Sequence, residues 1–244
     1  MVRGFYQVGA GLLTKSKVLS SVSNNVTNVK TNGYKKQTVV VSTFEQMMLN
    51  RVDGENTEIG ETQLATVVGD TTTVHSQGNL ETTGRNLDFT IMGEGFFAVQ
   101  TNNGMQYTRM GSFNLDDEGF LTVGGGRVLG TNGQPIAVGT EDIQADDNGT
   151  IYAGGQPVGQ IAVYSFNDYN ALVEAGNGFY TGQGAQLQQN AQVAWQTLEG
   201  SNVNIAEEMT TALAAQRELQ ACAQAIKMYD TIMEQATSSL TRIS

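Results

Sequence analysis

One histidine, one cysteine and 24 side-chain carboxylates are the groups in this 244-residue chain with the potential for chemistry. His75 has no second histidine to join it, so a metal site built on a histidine pair is excluded and a hydrogen-bonded structural role is expected. Cys222 has no second thiol, and beside an apolar helical stripe it reads as a small buried hydrophobe rather than a nucleophile. Two carboxylates could flank a glycosidic bond. The spacing selects no such pair, however, and acidic turns such as Asp116-Asp117-Glu118-Gly119 account for most of the carboxylates. Asp146-Asp147-Asn148-Gly149 lacks the alternating ligands and closing Glu of a calcium loop, and it reads as a tight turn. Gly93-Glu94-Gly95-Phe96-Phe97-Ala98 has the spacing of a dinucleotide fingerprint, but a strand-like run follows it where a helix N-terminus is needed. The chain is therefore read as a non-enzyme, with no catalytic residue, cofactor or metal.

Composition narrows the partners. The net charge of −11 argues against nucleic acid, which needs a basic face for its affinity. Twenty-nine glycines against two prolines, with Val, Ile, Leu and Phe plentiful, indicate a turn-rich β region between helical ends. No stretch approaches the roughly 20 apolar residues of a membrane span. Arg3 followed by the run Gly4 to Leu13 superficially resembles a signal peptide. Gln7 interrupts it, Lys15 and Lys17 follow it, and no small-x-small cleavage site is present, so a retained helix is expected.

Two helices stand out. From Asn204, an N-cap with Glu207 placed to complete a capping box, the chain runs to its end without Pro or Gly. Ile205, Met209, Ala212, Gln216, Leu219, Ala223, Ile226, Met233 and Leu240 recur there in steps of mostly three and four, a narrow seam of heptad type. At the other end Phe5, Val8, Leu12, Leu19, Val22, Val26 and Val29 repeat that spacing, with Lys15 in the gap. Matching seams predict that the two helices pair. The first helix stops in the Asn-rich run Ser23 to Lys36, where Asn32-Gly33 supplies a turn with positive φ. Between the helices the reading is β: strands at Leu87 to Ile91 and Phe97 to Gln100, a hairpin turn at Asn102-Asn103-Gly104, and a strand from Val158 to Phe166. Asn167 to Gly184 reads as loop. The fold class expected is α+β, with the terminal helices paired as a coiled-coil-like layer and a central, mainly antiparallel β domain. Residues 1–45 and 198–244 would form the helical layer, 46–74 and 181–197 extended connections, and 75–180 the β domain.

Several motifs, taken together, resemble the bacterial flagellar rod and hook proteins, the axial proteins of the basal body. The first is Asn24-Asn25-Val26-Thr27-Asn28 through Thr31-Asn32-Gly33-Tyr34-Lys35, where the family usually has Leu-Ala at Val26-Thr27. The centre adds His75 to Leu80, Thr83 to Asp88, Gly93 to Val99 and Tyr107 to Phe113. The series closes with Leu198-Glu199-Gly200-Ser201-Asn202-Val203 leading into the last helix. The resemblance implies a structural subunit that polymerises helically into the torque-transmitting rod. Its implied partners are further copies of itself, other rod and hook proteins, and the flagellar type III export apparatus, which would carry it beyond the cytoplasmic membrane without a cleaved signal. Asn24, Asn25, Asn28, Thr31, Gly33, Tyr34 and Lys35 would serve assembly at one end, and Leu198, Glu199, Ser201, Asn202 and Val203 with the seam residues at the other. Distal rod is preferred to proximal rod. A hook protein is the alternative within the family, and a secreted β-rich binding module is the alternative outside it.

Overall fold

The computed structural model describes the backbone of residues 2–43, 46–53, 55–63 and 66–241, and the side chains of residues 4–41 and 70–238. The chain divides into two compact units. Residues 1–26, 37–72 and 204–244 form the first, and residues 27–36 and 73–203 the second.

The first unit is built on helix α1, Val2–Thr27, and helix α2, Ile205–Thr241. Asn204 caps α2: its Oδ1 accepts from the main-chain N–H of Ala206 at 3.0 Å and of Glu207 at 3.4 Å. Glu207 and Glu208 fill the first turn, where the helix dipole favours negative charge. The helices pair antiparallel. Tyr229 lies over Gly4, Cys222 Sγ lies 3.7 Å from where a Gly11 Cβ would stand, Lys15 meets Glu218, and Asn25 meets Glu208. The residue numbers in every one of these pairs add to the same total, so the register does not slip along the hairpin. Strands Gln37–Thr43 and Thr66–Thr73 form a two-stranded sheet, and Gln46–Asp53 with Glu55–Gln63 an antiparallel pair.

The face that α2 turns to α1 carries Glu208, Ala212, Ala215, Leu219, Cys222, Ile226 and Tyr229, each buried or half-buried. Of the seam expected from sequence, Ala212, Leu219 and Ile226 lie on this face. Ile205, Met209, Gln216, Ala223 and Met233 are exposed, and the Leu240 side chain lies outside the described residues. The reason is steric. The helices meet where Gly4, Gly11 and the alanines of α2 allow close approach and where Asn25 can pair with Glu208, so Leu219, Ile226 and Tyr229 share the contact with small residues while Met209 and Met233 fall outside it. Cys222 is half-buried as a result, not fully enclosed.

The second unit is antiparallel β in every strand pair described. Its largest sheet runs in the order Val173–Gly176, Phe179–Thr181, Gly104–Thr108, Phe96–Thr101, Gly126–Val128, Leu121–Val123, Asn114–Leu115. Val163–Ser165 joins it beside Phe96–Thr101 and carries Gln186–Leu187. Ile143–Ala145, Thr150–Ala153 and Gln156–Gln160 make a second sheet, and Phe89–Met92 pairs with Gln192–Trp195. Strand alternation sends Phe97 and Val99 to one face and Phe96 and Ala98 to the other. Both faces are covered. Phe97 packs edge-on against Phe113, which stacks on Phe89, while Phe96 and Ala98 join Tyr107, Leu129, Phe166 and Tyr180.

Two stretches differ from the sequence reading. Val158 to Phe166 is not one strand, because Ile161 and Ala162 hydrogen-bond to Gly149 and Leu129 and so carry the chain from one sheet to the next. The stretch read as loop holds a one-turn 3-10 helix, Tyr169–Ala171, and the strand pair Val173–Gly176 with Phe179–Thr181.

Candidate functional site: a buried charge cluster joining three motifs

Lys35, Glu199 and Arg109 come from three separate sequence motifs and meet in the interior of the second unit, with 1%, 2% and 4% of their surfaces exposed. Each is delivered by local geometry. Gly33 turns at φ +72° directly against the main chain of Arg109, which brings Tyr34 and Lys35 inward. Glu199 ends strand Thr197–Glu199, paired antiparallel with Leu80–Thr82. Arg109 directly follows strand Gly104–Thr108.

The carboxylate of Glu199 divides its two oxygens between the cations. Oε1 accepts from Lys35 Nζ at 2.5 Å and from the Gly78 N–H at 3.0 Å, while Oε2 accepts from Arg109 Nη1 at 3.1 Å. Lys35 Nζ also donates to the Ser76 carbonyl at 2.8 Å, and Arg109 Nη2 to the Gly93 carbonyl at 2.6 Å. Around this core the main chain is cross-tied. Gly33 N donates to the Glu199 carbonyl, Val74 N to Lys36, and Gly200 N to Asn79. Asn202 accepts from the Lys36 N–H at 2.7 Å, and its amide donates to Val74 and Ser76. Buried charges persist when they are paired and hydrogen-bonded, and this set is both. Burial pulls the Lys35 pKa below its ordinary value, opposed by the attraction of Glu199.

Beside the cluster, a cavity of about 270 Å³ is lined in part by His75, Ser76, Glu94, Phe96, Arg109 and Tyr169. His75 packs 5.6 to 5.7 Å, ring to ring, from Phe96, Tyr169 and Tyr180. Its pKa is pushed down to about 4, first by burial and then by the positive charges of Lys35 and Arg109. His75 Nδ1 and Arg109 Nε are buried without a hydrogen-bond partner. Among the described residues no three His, Cys, Asp or Glu side chains gather as metal ligands, and no helix is long and apolar enough to cross a membrane.

The other motif residues divide between the units. In the first, Asn25 is buried: its amide donates to the Gln37 carbonyl at 2.9 Å and to Glu208 at 3.1 Å, and its Oδ1 accepts from the Gln37 N–H at 2.9 Å. Asn24 on the same helix is exposed. In the second unit Tyr34, Leu198 and Val203 are buried, Asn28 and Ser201 half-buried and Thr31 exposed. Ser201 Oγ accepts from the Val203 N–H at 3.3 Å. Arg109, although inside the Tyr107 to Phe113 motif, and Glu208 were not among the site residues expected from sequence. For Arg109 a signal existed, a lone cation at the end of the strand-like run Met105 to Thr108. Glu208 has none, since its burial depends on Asn25, 183 residues away.

Known proteins match along the chain. Residues 90–153 match the family model for the flagellar hook protein FlgE/F/G D1 domain, and residues 196–239 that for the flagellar basal body rod FlgEFG protein C-terminal region. The chain is 32% identical to the flagellar basal-body rod protein FlgG of Bacillus subtilis over 96% of its own length and 98% of the relative's. It is 30% identical to the flagellar basal-body rod protein FlgF of Caulobacter vibrioides, covering 95% and 94% of the two chains. A flagellar hook-basal body complex protein of Bacillus subtilis, FlhO, is 28% identical over the whole of both chains.

Proposed function

The chain belongs to the flagellar hook and basal-body rod protein family, and from that premise we propose that it is a structural subunit of the rod, polymerising into the shaft that transmits torque to hook and filament. One observation carries the polymerisation: the helical hairpin leaves large apolar side chains uncovered. Ile205, Met209 and Leu213 are 44%, 52% and 57% exposed near the start of α2. Met228, Ile232 and Met233 are exposed further along it, with Phe5 of α1 level with Met228 by the register and Tyr6 beside it. Gln216, Gln220 and Gln224 separate the two groups.

Apolar groups of this size on a helix mark contact surfaces. Two groups of different composition suit a head-to-tail contact between copies, the kind that generates an open helical assembly. Methionine adapts to such neighbours without a fixed shape. The partners are further copies of the chain and, at the ends of its stack, other rod and hook proteins. Export through the flagellar type III apparatus would bring the subunit beyond the cytoplasmic membrane. Catalysis has no part in this role.

Electron cryomicroscopy of purified basal bodies carrying a labelled copy tests the reading. The label is expected in the rod, and its position along the shaft separates a distal from a proximal subunit. Complete rods assembled in a deletion strain, with no label in wild-type basal bodies, would refute it.

A further inference from the structure

We propose that the charge of Glu199 is a latch. It holds residues 27–36 and 196–203, the segments that run into the two helices, closed against each other within the second unit, and both release together when that charge is removed. The reading stands on the buried cluster alone and does not depend on the family.

Lys35 and Arg109 each donate to a different oxygen of one carboxylate, and both are buried. Without that carboxylate, two like charges face each other, with Lys35 still donating to the Ser76 carbonyl and Arg109 to the Gly93 carbonyl. Removing one member of a buried ionic set is far more disruptive than replacing the set, because the remaining charge stays desolvated. The consequence is local because the two segments hold one another. Gly33 N donates to the Glu199 carbonyl and Lys36 N to Asn202, while Gly200 N donates to Asn79 and Glu199 pairs with Leu80. The large sheet draws its ladder from strands between Phe96 and Leu187 and none from either segment. Opening the latch therefore leaves the sheet's own hydrogen bonds in place.

Amide hydrogen exchange on the full-length monomer reads this directly. In Glu199→Gln, which keeps the side-chain shape, the Gly33, Lys36 and Gly200 amides are expected to exchange roughly a hundredfold faster. Amides in Phe96–Thr101 and Gly104–Thr108 are expected to keep their protection. The double variant Lys35→Met/Glu199→Gln removes a cation along with the carboxylate and is expected to recover about tenfold or more of the lost protection. Unchanged exchange in Glu199→Gln overturns the latch. So does a uniform loss across the large sheet, which would make the cluster part of the general core. A double variant as open as the single one overturns the charge basis.

Discussion

His75 is enclosed by Phe96, Tyr169 and Tyr180 beside two buried cations, and that environment gives it a definite effect on stability. Its folded pKa of about 4 lies below the ordinary 6.5, so the unfolded chain takes up the proton first as pH falls. Above pH 6.5 both states are neutral and His75 contributes no slope. Between 6.5 and 4 it lowers stability progressively, and below 4 the loss levels off. Urea denaturation at pH 7, 5.5 and 4 should show this decline, and His75→Phe should reduce it, leaving only the carboxylates; equal slopes in both proteins would contradict the assignment. Gly33 supplies a second prediction. At φ +72°, a β-carbon there would stand 2.5 Å from the Arg109 carbonyl carbon. Gly33→Val adds a β-branched residue in the left-handed region to that clash, and should cost about 3 kcal/mol or more of the second unit's stability in denaturant titration. The turn at Gly33 was legible because Asn-Gly is a local signal. The cluster it serves was not, because Lys35 and Glu199 are 164 residues apart and Arg109 and Glu199 are 90 apart, and no short-range pattern spans such distances.

Helices α1 and α2 were legible as elements because cap, length and apolar period agree, and the expectation that they pair holds. Periodicity found part of the contact face, with Val8, Leu12, Leu19, Val22 and Val26 on α1 and Ala212, Leu219 and Ile226 on α2 buried or half-buried, but it missed Ala215 and the polar closure between Asn25 and Glu208 because it follows large apolar side chains. One β element had an unused signal: Asn177 and Gly178 both have positive φ, as an Asn-Gly hairpin turn requires, and they join two strands in the stretch read as loop. Leu219 tests the observed face. The register sets it level with buried Thr14, so Leu219→Asp places a carboxylate in a half-buried contact where the neighbouring cation, Lys15, is already paired with Glu218. Helical circular dichroism should fall, while the thermal transition of the β unit stays where it was. Glu218→Gln, one residue away, breaks only a half-exposed ion pair with Lys15 and should change stability by less than about 1 kcal/mol. Equal effects of the two substitutions would place the helix contact elsewhere.

At the scale of the molecule, the chain passes between its two units at 26/27, 36/37, 72/73 and 203/204, and both apolar core clusters lie in the second unit. What stays unsatisfied is apolar surface on the hairpin, and self-assembly is the process that would cover it. Met209 and Leu213 make the sharpest test because both are more than half exposed and neither lies on the face paired with α1. Gln matches their helix propensity closely, so Met209→Gln/Leu213→Gln should leave the monomer's helicity unchanged and its stability within about 0.5 kcal/mol of wild type. Its effect should appear only between copies, where every contact repeats the loss of apolar area at about 25 cal/mol per Å². Sedimentation and electron microscopy of the purified protein should show polymer formation abolished, and cells carrying the variant should lack complete rods at normal protein level. The substitution Lys17→Gln, on the exposed polar middle of α1, should polymerise as wild type does. Should the double variant build normal rods, the start of α2 is not a subunit contact, and the copies join through other surfaces.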